Sequence, residues 1–376
     1  MPGCVDEGAA LTAAARVLGP RELNRALLER QMLLRRRRVP VLDAVEHLVA
    51  MQAQVPRDPY VALWSRVDRF RPDSLAEPIA EHRAVRMTLL RGTLHLVTAQ
   101  DALALRPLMQ PVVERTLYGS SPLRTAADSA DVDELLMLFR HLFEQRPHTR
   151  AELVGAIRER WPDRDATSLG YAMYLLPTVQ VTPRGLWGRS GPSAFTTVED
   201  WLGRSVETDA RPDEMIRRYL AAFGPATVAD AQNWSGLSGL KEVFERLRPG
   251  LRTFADEQGR ELFDVPGAPL PNPDRTAPVR FLPEYDNVGL GHADRSRIVA
   301  PDMRQWIEVG WGSVLVDGFG SARWKLDVED GAATLRIEPF LRLARADRAA
   351  ISEEGERLAR FLAADATGHD IRFTLA

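Results

Sequence analysis

Residues 131–190 read DVDELLMLFRHLFEQRPHTRAELVGAIRERWPDRDATSLGYAMYLLPTVQVTPRGLWGRS. Within them Val132, Leu135, Leu136, Phe139, Leu142 and Phe143 recur at helical spacing, with Pro147 just past their end, which predicts one amphipathic helix. Residues 148–161 predict a second, opened by a capping box between Thr149 and Glu152 and followed by Pro162. A third helix is expected over 166–176. The run 178–190 then predicts two short strands turning at 183–185. Three helices followed by a hairpin is the winged-helix order.

Working outward, the same order returns on both sides. Downstream, Met215, Ile216, Tyr219, Leu220 and Phe223 mark a helix, 227–234 a capped second and 237–247 a third, before a hairpin turning near Gly259. Upstream, helices are expected over 21–36, 41–54 and 75–83, with a hairpin in VRMTLLRGTLHLV turning at Arg91 and Gly92. The upstream copy carries extra residues, 55–72, where VPRDP interrupts the helical pattern, and irregular insertions on a regular scaffold tend to carry function. From about Pro278 the period changes to two: strands are expected over 279–282, 313–316, 322–328 and 333–338, with hairpin turns at Asp317-Gly318 and Asp330-Gly331. A helix over 347–364 and a strand over 371–375 follow. The expected architecture is α+β: a flexible amino terminus (1–20), three tandem winged helix-turn-helix units (21–120, 121–205 and 206–276) and a small carboxy-terminal β-barrel (277–376).

The composition narrows the class. With 376 residues, 45% hydrophobic and 27% charged, the chain is long enough for several domains and apolar enough to bury a core. Cys4 is the only cysteine, so no intrachain disulfide, thiolate zinc site or iron–sulfur cluster is expected, and a reducing, cytoplasmic setting fits. No apolar run approaches a membrane span and no signal peptide is visible. The net charge of −3 argues against indiscriminate coating of nucleic acid but permits a local basic groove. Of 49 basic residues only Lys241 and Lys325 are lysines.

Tandem winged helices favour nucleic acid as partner, although such units also bind proteins. For chemistry the best segment is MQAQVPRDP, residues 51–59, read as the end of a helix. On a continuing helix Gln52 and Gln54 would point about 200° apart. Pro56 pushes Val55 into an extended conformation, so the chain can unwind after Gln52 and turn both amides into one cavity. The seven histidines show no metal-binding spacing and no phosphate-binding glycine loop occurs, so no metal and no cofactor are expected. His95 is expected on the hairpin face opposite Leu94 and Leu96, satisfied and partly exposed. The loop containing Glu284, Asp286, His292, Asp294, Arg295 and Arg297 reads either as a salt-bridged turn or as a phosphate clamp. The run Arg35 to Arg38 reads as a solvated helix end.

Together MQAQVPRDPYVALWSRV, LLRGTLHLV, LPEYDNVGLGHADRSR and SVLVDGFGSARWKL resemble the AlkZ/YcaQ family of bacterial winged-helix DNA glycosylases, from about Arg21 to the end of the chain. The resemblance implies winged helices around a concave DNA-binding channel and a catalytic motif of two polar residues flanking an apolar one, here Gln52-Ala53-Gln54. Glutamine at the second polar position is similar to the AlkZ branch. That branch implies a monofunctional glycosylase releasing bulky alkylated purines and unhooking interstrand crosslinks, often as self-resistance in producers of DNA-alkylating natural products. Its implied partner is double-stranded DNA carrying alkylated purines. Arg57, Arg91, His292, Arg295 and Arg297 are the expected DNA contacts. A non-catalytic transcription regulator is the alternative; it would need a dimerisation element, yet no heptad or long terminal helix is visible and a monomer is expected.

Overall fold

The computed structural model describes residues 16–127, 132–299 and 308–374; Cys4, Asp131, Leu375 and residues 1–15 of the expected flexible terminus lie outside the described residues. Periodicity is realised most directly in the middle of the chain. Helix Val132–Gln145 buries Leu135, Phe139 and Phe143. Helix Arg150–Arg160 follows: the Thr149 hydroxyl accepts from the Glu152 amide at 3.2 Å, and the Glu152 carboxylate accepts from the Thr149 amide at 2.7 Å. Two N–H groups that a helix start leaves without partners are thereby satisfied. The third expected helix is a short one, Ala166–Leu169, continued by the tight 3-10 turns of Gly170–Leu175. Strand Thr178–Gln180 pairs with Ala194–Thr197, beyond the expected end of the hairpin at Ser190. Leu186 and Trp187, expected in its second strand, leave it to pack with Tyr60 and Phe361 of other parts of the chain.

The amino-terminal third departs further from its expected helices. Helix Pro20–Arg30 ends at Arg30, and Met32 takes a left-handed φ of 58°. Helix Val41–His47 stops long before Gln54, because Val49 adopts φ 67°, a strained value for a β-branched residue. The turn lets Met51–Gln52 form a strand against Leu96 and His95, and it buries Leu48, Val49, Ala50 and Met51 together. Residues 55–72, expected as an irregular insertion, contain helix Asp58–Arg66, with Pro59 in the first turn where its missing N–H costs nothing. That helix is apolar on two sides, with Tyr60 and Leu63 in one core and Val61 in another, so no single amphipathic stripe announces it.

Downstream, helices Pro212–Phe223, Val228–Ser235 and Lys241–Leu247 lead to strands Arg252–Asp256 and Glu261–Asp264. Val17–Leu18 adds to this pair in parallel, so residues 17–20 belong to the fold and not to a flexible arm. The carboxy-terminal strands Arg280–Leu282, Gly312–Val316, Phe319–Glu329, Ala332–Pro339 and Gly368–Phe373 follow one another in one sheet, the last in parallel. A parallel return needs a crossover, and helix Arg345–Leu362 supplies it while covering one face with Ile351 and Leu358. The barrel expected here is instead an open sheet, because among the described residues its two outer strands do not pair with each other. Both Asp-Gly turns have positive φ at each residue, as two-residue hairpin loops require. Among the described residues no helix is long and apolar enough to cross a membrane.

Two joints hold these parts together. Strand Ala84–Thr88 pairs on one side with Leu94–Thr98 and on the other with Thr178–Gln180, merging the first two hairpins into one six-stranded sheet. Arg66 donates to both oxygens of Asp286 at 2.8 and 2.7 Å, both residues being buried. Stranding one member of such a pair leaves an unpaired buried charge. Asp286→Asn is expected to lower stability by about 3–5 kcal/mol in urea unfolding followed by tryptophan fluorescence.

Candidate functional site

In an extended chain residues i and i+2 share a face and the residue between them points away. At Gln52-Ala53-Gln54 that period ends with the strand: Gln52 closes it and is largely buried, Ala53 is fully buried in the core, and Gln54, in the bend that follows, is exposed. Both glutamines line one cleft of about 740 Å³. The two glutamines are thus brought to one cleft from the end of a short strand and the bend after it, where an unwound helix end was expected. The opposite wall of the cleft comes from the second hairpin and its preceding turns, with Tyr171, Tyr174, Gln180, Arg184, Ser193 and Phe195.

The tip of the first hairpin holds Gln52. Its Nε2 donates to Thr93 Oγ1 at 3.2 Å, and its Oε1 accepts from Arg91 Nη2 at 3.1 Å. Arg91 takes φ 55° in the turn and also donates to the Trp234 carbonyl, anchoring the tip to the third group of helices. Opposite Gln52 stands His95, fully buried and not partly exposed as expected. Its Nδ1–H donates to the Thr93 carbonyl at 2.8 Å, leaving Nε2 to face Arg91 at 3.5 Å. Burial, then Arg91, push the imidazole pKa down to about 3, so it stays a neutral acceptor across the working range.

The backbone of the motif is held as well. The Ala53 amide donates to the Leu94 carbonyl at 2.9 Å, and the Ala53 carbonyl accepts from Arg86 Nη2 at 2.7 Å. Arg86 also donates to Gln180 Oε1, and Gln180 Nε2 in turn reaches Ser193. Sequence reasoning missed Arg86, Thr93 and Gln180; the signal present was a charged residue between the apolar Val85 and Met87 in a strand.

The expected DNA contacts divide. Arg57 and Arg295 are exposed. Arg57, however, lines a separate groove of about 560 Å³ with Tyr60, Trp187, Arg189 and Phe361. Arg91 lies at the cleft. His292 and Arg297 are corrections, because both are buried. His292 Nε2 donates to the Phe223 carbonyl at 3.1 Å, and burial pushes its pKa down to about 3. Arg297 donates to the Pro225 carbonyl at 3.0 Å and faces Asp230 at 3.9 Å. Asp286 and Asp294 are likewise engaged, with Arg66 and Arg260, so most of that loop is a salt-bridged turn. In the run Arg35 to Arg38, Arg36 pairs with Glu354 and Arg37 with Glu29, so it is only partly solvated. Among the described residues no group of three or more His, Cys, Asp or Glu side chains is placed to hold a metal ion.

Beneath the motif sits Asp58, 5% exposed, with no partner for Oδ2. Burial, then the neighbouring Glu284, raise its pKa from 3.8 to about 7, against the pull of Arg57 and the Tyr285 backbone. The folded protein thus keeps a proton that the unfolded chain releases near pH 4, and stability falls as pH rises from about 4 to about 7. Asp58→Asn removes this term. Its stability advantage over wild type is expected to grow by about 2–4 kcal/mol between pH 4 and pH 8, read from paired urea titrations.

Comparison with known proteins bears on this geometry. A curated relative, "Interstrand DNA cross-link repair glycosylase" of Streptomyces sahachiroi, is 26% identical over 368 residues, covering 89% of this chain and 94% of its own. The solved structure of Streptomyces sahachiroi DNA glycosylase AlkZ shares the fold at a TM-score of 0.74 and 22% identity, covering 95% of this chain and all of that one. The profile of the family described as DNA glycosylase AlkZ-like matches residues 45–361, from before the Gln52-Ala53-Gln54 strand to the carboxy-terminal helix. With most of its length matched, the chain belongs to the AlkZ-like DNA glycosylases, enzymes that act on N-glycosyl bonds.

Proposed function

We propose that this glycosylase hydrolyses the N-glycosidic bond of purines already made cationic by alkylation, above all bulky N7-alkylguanine adducts and the interstrand crosslinks they form. The observation that carries the reading is the lining of the cleft, which has three glutamines, three arginines and several hydroxyls but no Asp or Glu. Such a site has no strong general base. Amide oxygens polarise a water weakly and face a cationic sugar with partial negative charge, at any pH. A neutral purine would not leave under so little assistance, whereas a purine carrying positive charge departs without being protonated. Normal bases are thereby spared.

The two amides divide the work. Gln52 is preorganised by Thr93 and Arg91, so its dipole needs no reorganisation as charge develops on the sugar. Gln54, exposed and without a hydrogen-bond partner among the described residues, is the acceptor for the attacking water. Arg57, Arg91 and Arg295 remain the proposed contacts to DNA backbone. The crosslink part of the reading is supported by what the Streptomyces sahachiroi relative is named for, and it suits self-resistance in a producer of a DNA-alkylating compound. The unit boundaries near 120, 205 and 276 remain a proposal, supported by the three hairpins that close at Thr98, Thr197 and Asp264. Working as a monomer in the cytoplasm belongs to the same reading. The family assignment leaves a transcription regulator without support.

Two outcomes test this. Gln52→Ala and Gln54→Ala are each expected to slow base release by the equivalent of about 2–4 kcal/mol of barrier, with DNA affinity nearly unchanged. Wild-type release in both would overturn the assignment of the motif. In single-turnover release, a bulky N7-alkylguanine and N7-methylguanine should both leave faster than uracil or hypoxanthine; faster loss of the neutral bases would overturn the charge argument, and release of the methyl adduct alone would overturn the bulky substrate.

A further inference from the structure

Most buried arginines of this protein are answered by a carboxylate. Arg25 faces Asp317, Arg30 Asp264, Arg66 Asp286, Arg280 Glu354 and Arg297 Asp230, at 2.5 to 3.9 Å. Arg106, another, is met by three successive carbonyls at residues 174–176, the end of a helical turn where such a charge is welcome. Arg86, buried, and Arg91, half-buried, which both line the cleft, differ. Among the described residues neither Arg86 nor Arg91 has a carboxylate in ion-pair range, and each is held only by neutral acceptors. Arg184 lines the cleft next to Gly185, which packs on Arg86, and Arg295 follows Tyr285 and Leu290, which line the same cleft as Arg91; besides burial, repulsion by Arg184 and by Arg295 lowers the pKa of Arg86 and of Arg91 respectively. Burial and that repulsion draw both guanidinium pKa values down to about 10, which still leaves them charged.

A buried cation set next to a like charge is costly for folding, and a carboxylate in the lining would relieve it. The cleft has none. Asp58, whose charge acts on Arg86, is itself held half-neutral by burial. Arg86 Nε, inside a side chain 2% exposed, has no acceptor at all. Hydroxyl donors stand around both pairs, with Thr88 and Ser193 lining the cleft with Arg86 and Arg184, and Thr93 and Thr116 lining it with Arg91.

We infer that these are two phosphodiester sites, Arg86 with Arg184 and Arg91 with Arg295, which take two backbone phosphates of the lesion-bearing strand on either side of the Gln52–Gln54 segment. Two positive pairs with no internal counter-charge match a ligand whose anions repeat along one chain, and planar guanidinium forks suit phosphate oxygens. One stretch of strand is specified because Arg86 and Arg91 grip the same three residues: Arg86 holds the Ala53 carbonyl and Arg91 holds Gln52 Oε1. Filling the sites therefore fixes the damaged nucleotide relative to both amides. The inference rests on the cleft being the reaction site, as proposed above.

The test uses the outer members, Arg184, half-buried, and Arg295, exposed, whose replacement leaves the core intact. Duplexes carry a 2′-fluorinated N7-methyl-2′-deoxyguanosine, which resists base loss, and one uncharged methylphosphonate stepped along the lesion strand. For the wild-type protein, neutralisation at two positions flanking the lesion is expected to weaken binding about tenfold. Arg184→Gln should abolish the sensitivity at one position and Arg295→Gln at the other, each lowering the slope of log affinity against log salt by about 0.9. A flat profile in the wild type, or losses that simply multiply in both variants, would overturn the inference. Release of N7-methylguanine from unmodified duplex is measured alongside. Release with a flat profile removes the phosphate sites and leaves the substrate reading; two erased positions without release uphold the sites and remove the substrate reading.

Discussion

The carbonyl of Ala53 is held by the side chain of Arg86, and much of the cleft follows from that single hydrogen bond. The Ala53 amide is already committed to Leu94, so the residue is pinned through both its N–H and its carbonyl, and the backbone carrying the glutamines on either side is fixed. Arg86 spans from this peptide to Gln180 on the second hairpin, a reach that needs a planar fork with several donors; a lysine ammonium would not make both bonds in fixed directions. The loop over residues 183–191 lies directly on the arginine. A methyl group at Gly185 would come within 2.8 Å of Arg86 Cδ, and the Gly185 carbonyl accepts from Tyr60 at 2.8 Å, so loop, arginine and motif form one packed unit.

The same side chain explains why the two hairpins share a sheet. Arg86 and Gln180 are register partners across the join between Ala84–Thr88 and Thr178–Gln180, so the backbone pairing and the side-chain bond support each other. One wall of the cleft is the first hairpin, the other is the second, and the tip at Arg91 is tied back to Trp234. A cleft assembled from three parts of the chain has rigidity that no single hairpin would provide.

Charge is distributed to the same end. Elsewhere the fold spends its arginines on internal ion pairs, such as Arg66 with Asp286 and Arg30 with Asp264, which fix how helices and loops meet. At the cleft, arginines are present and carboxylates are absent from the lining. This arrangement favours a polyanion and offers it no carboxylate base, which is what supports the proposed restriction of the chemistry to bases that are ready to leave. A net charge of −3 over the whole chain conceals this local pattern.

Local rules were enough for much of the molecule. Helix Val132–Gln145, the capping box at Thr149, helix Pro212–Phe223 and the Asp-Gly turns depend on neighbours a few residues away, and their residues announce them. The polar, apolar, polar pattern of Gln52-Ala53-Gln54 was legible too, along with the family resemblance. Its strand conformation was not, because Met51 and Gln52 become a strand only by pairing with residues some forty positions later, at the expense of a strained Val49. Helix Asp58–Arg66 escaped a periodicity reading since two cores share its surface, and Leu186 and Trp187 left their hairpin for an aromatic cluster made by distant residues. His292 and Arg297 have the composition of a phosphate clamp, but only packing reveals that they face Phe223, Pro225 and Asp230. Sequence alone determined which short segments coil and turn and which residues are candidates for the chemistry; the tertiary structure decided which charges are buried and which lie open to a ligand, because burial is a property of surfaces brought together from remote parts of the chain.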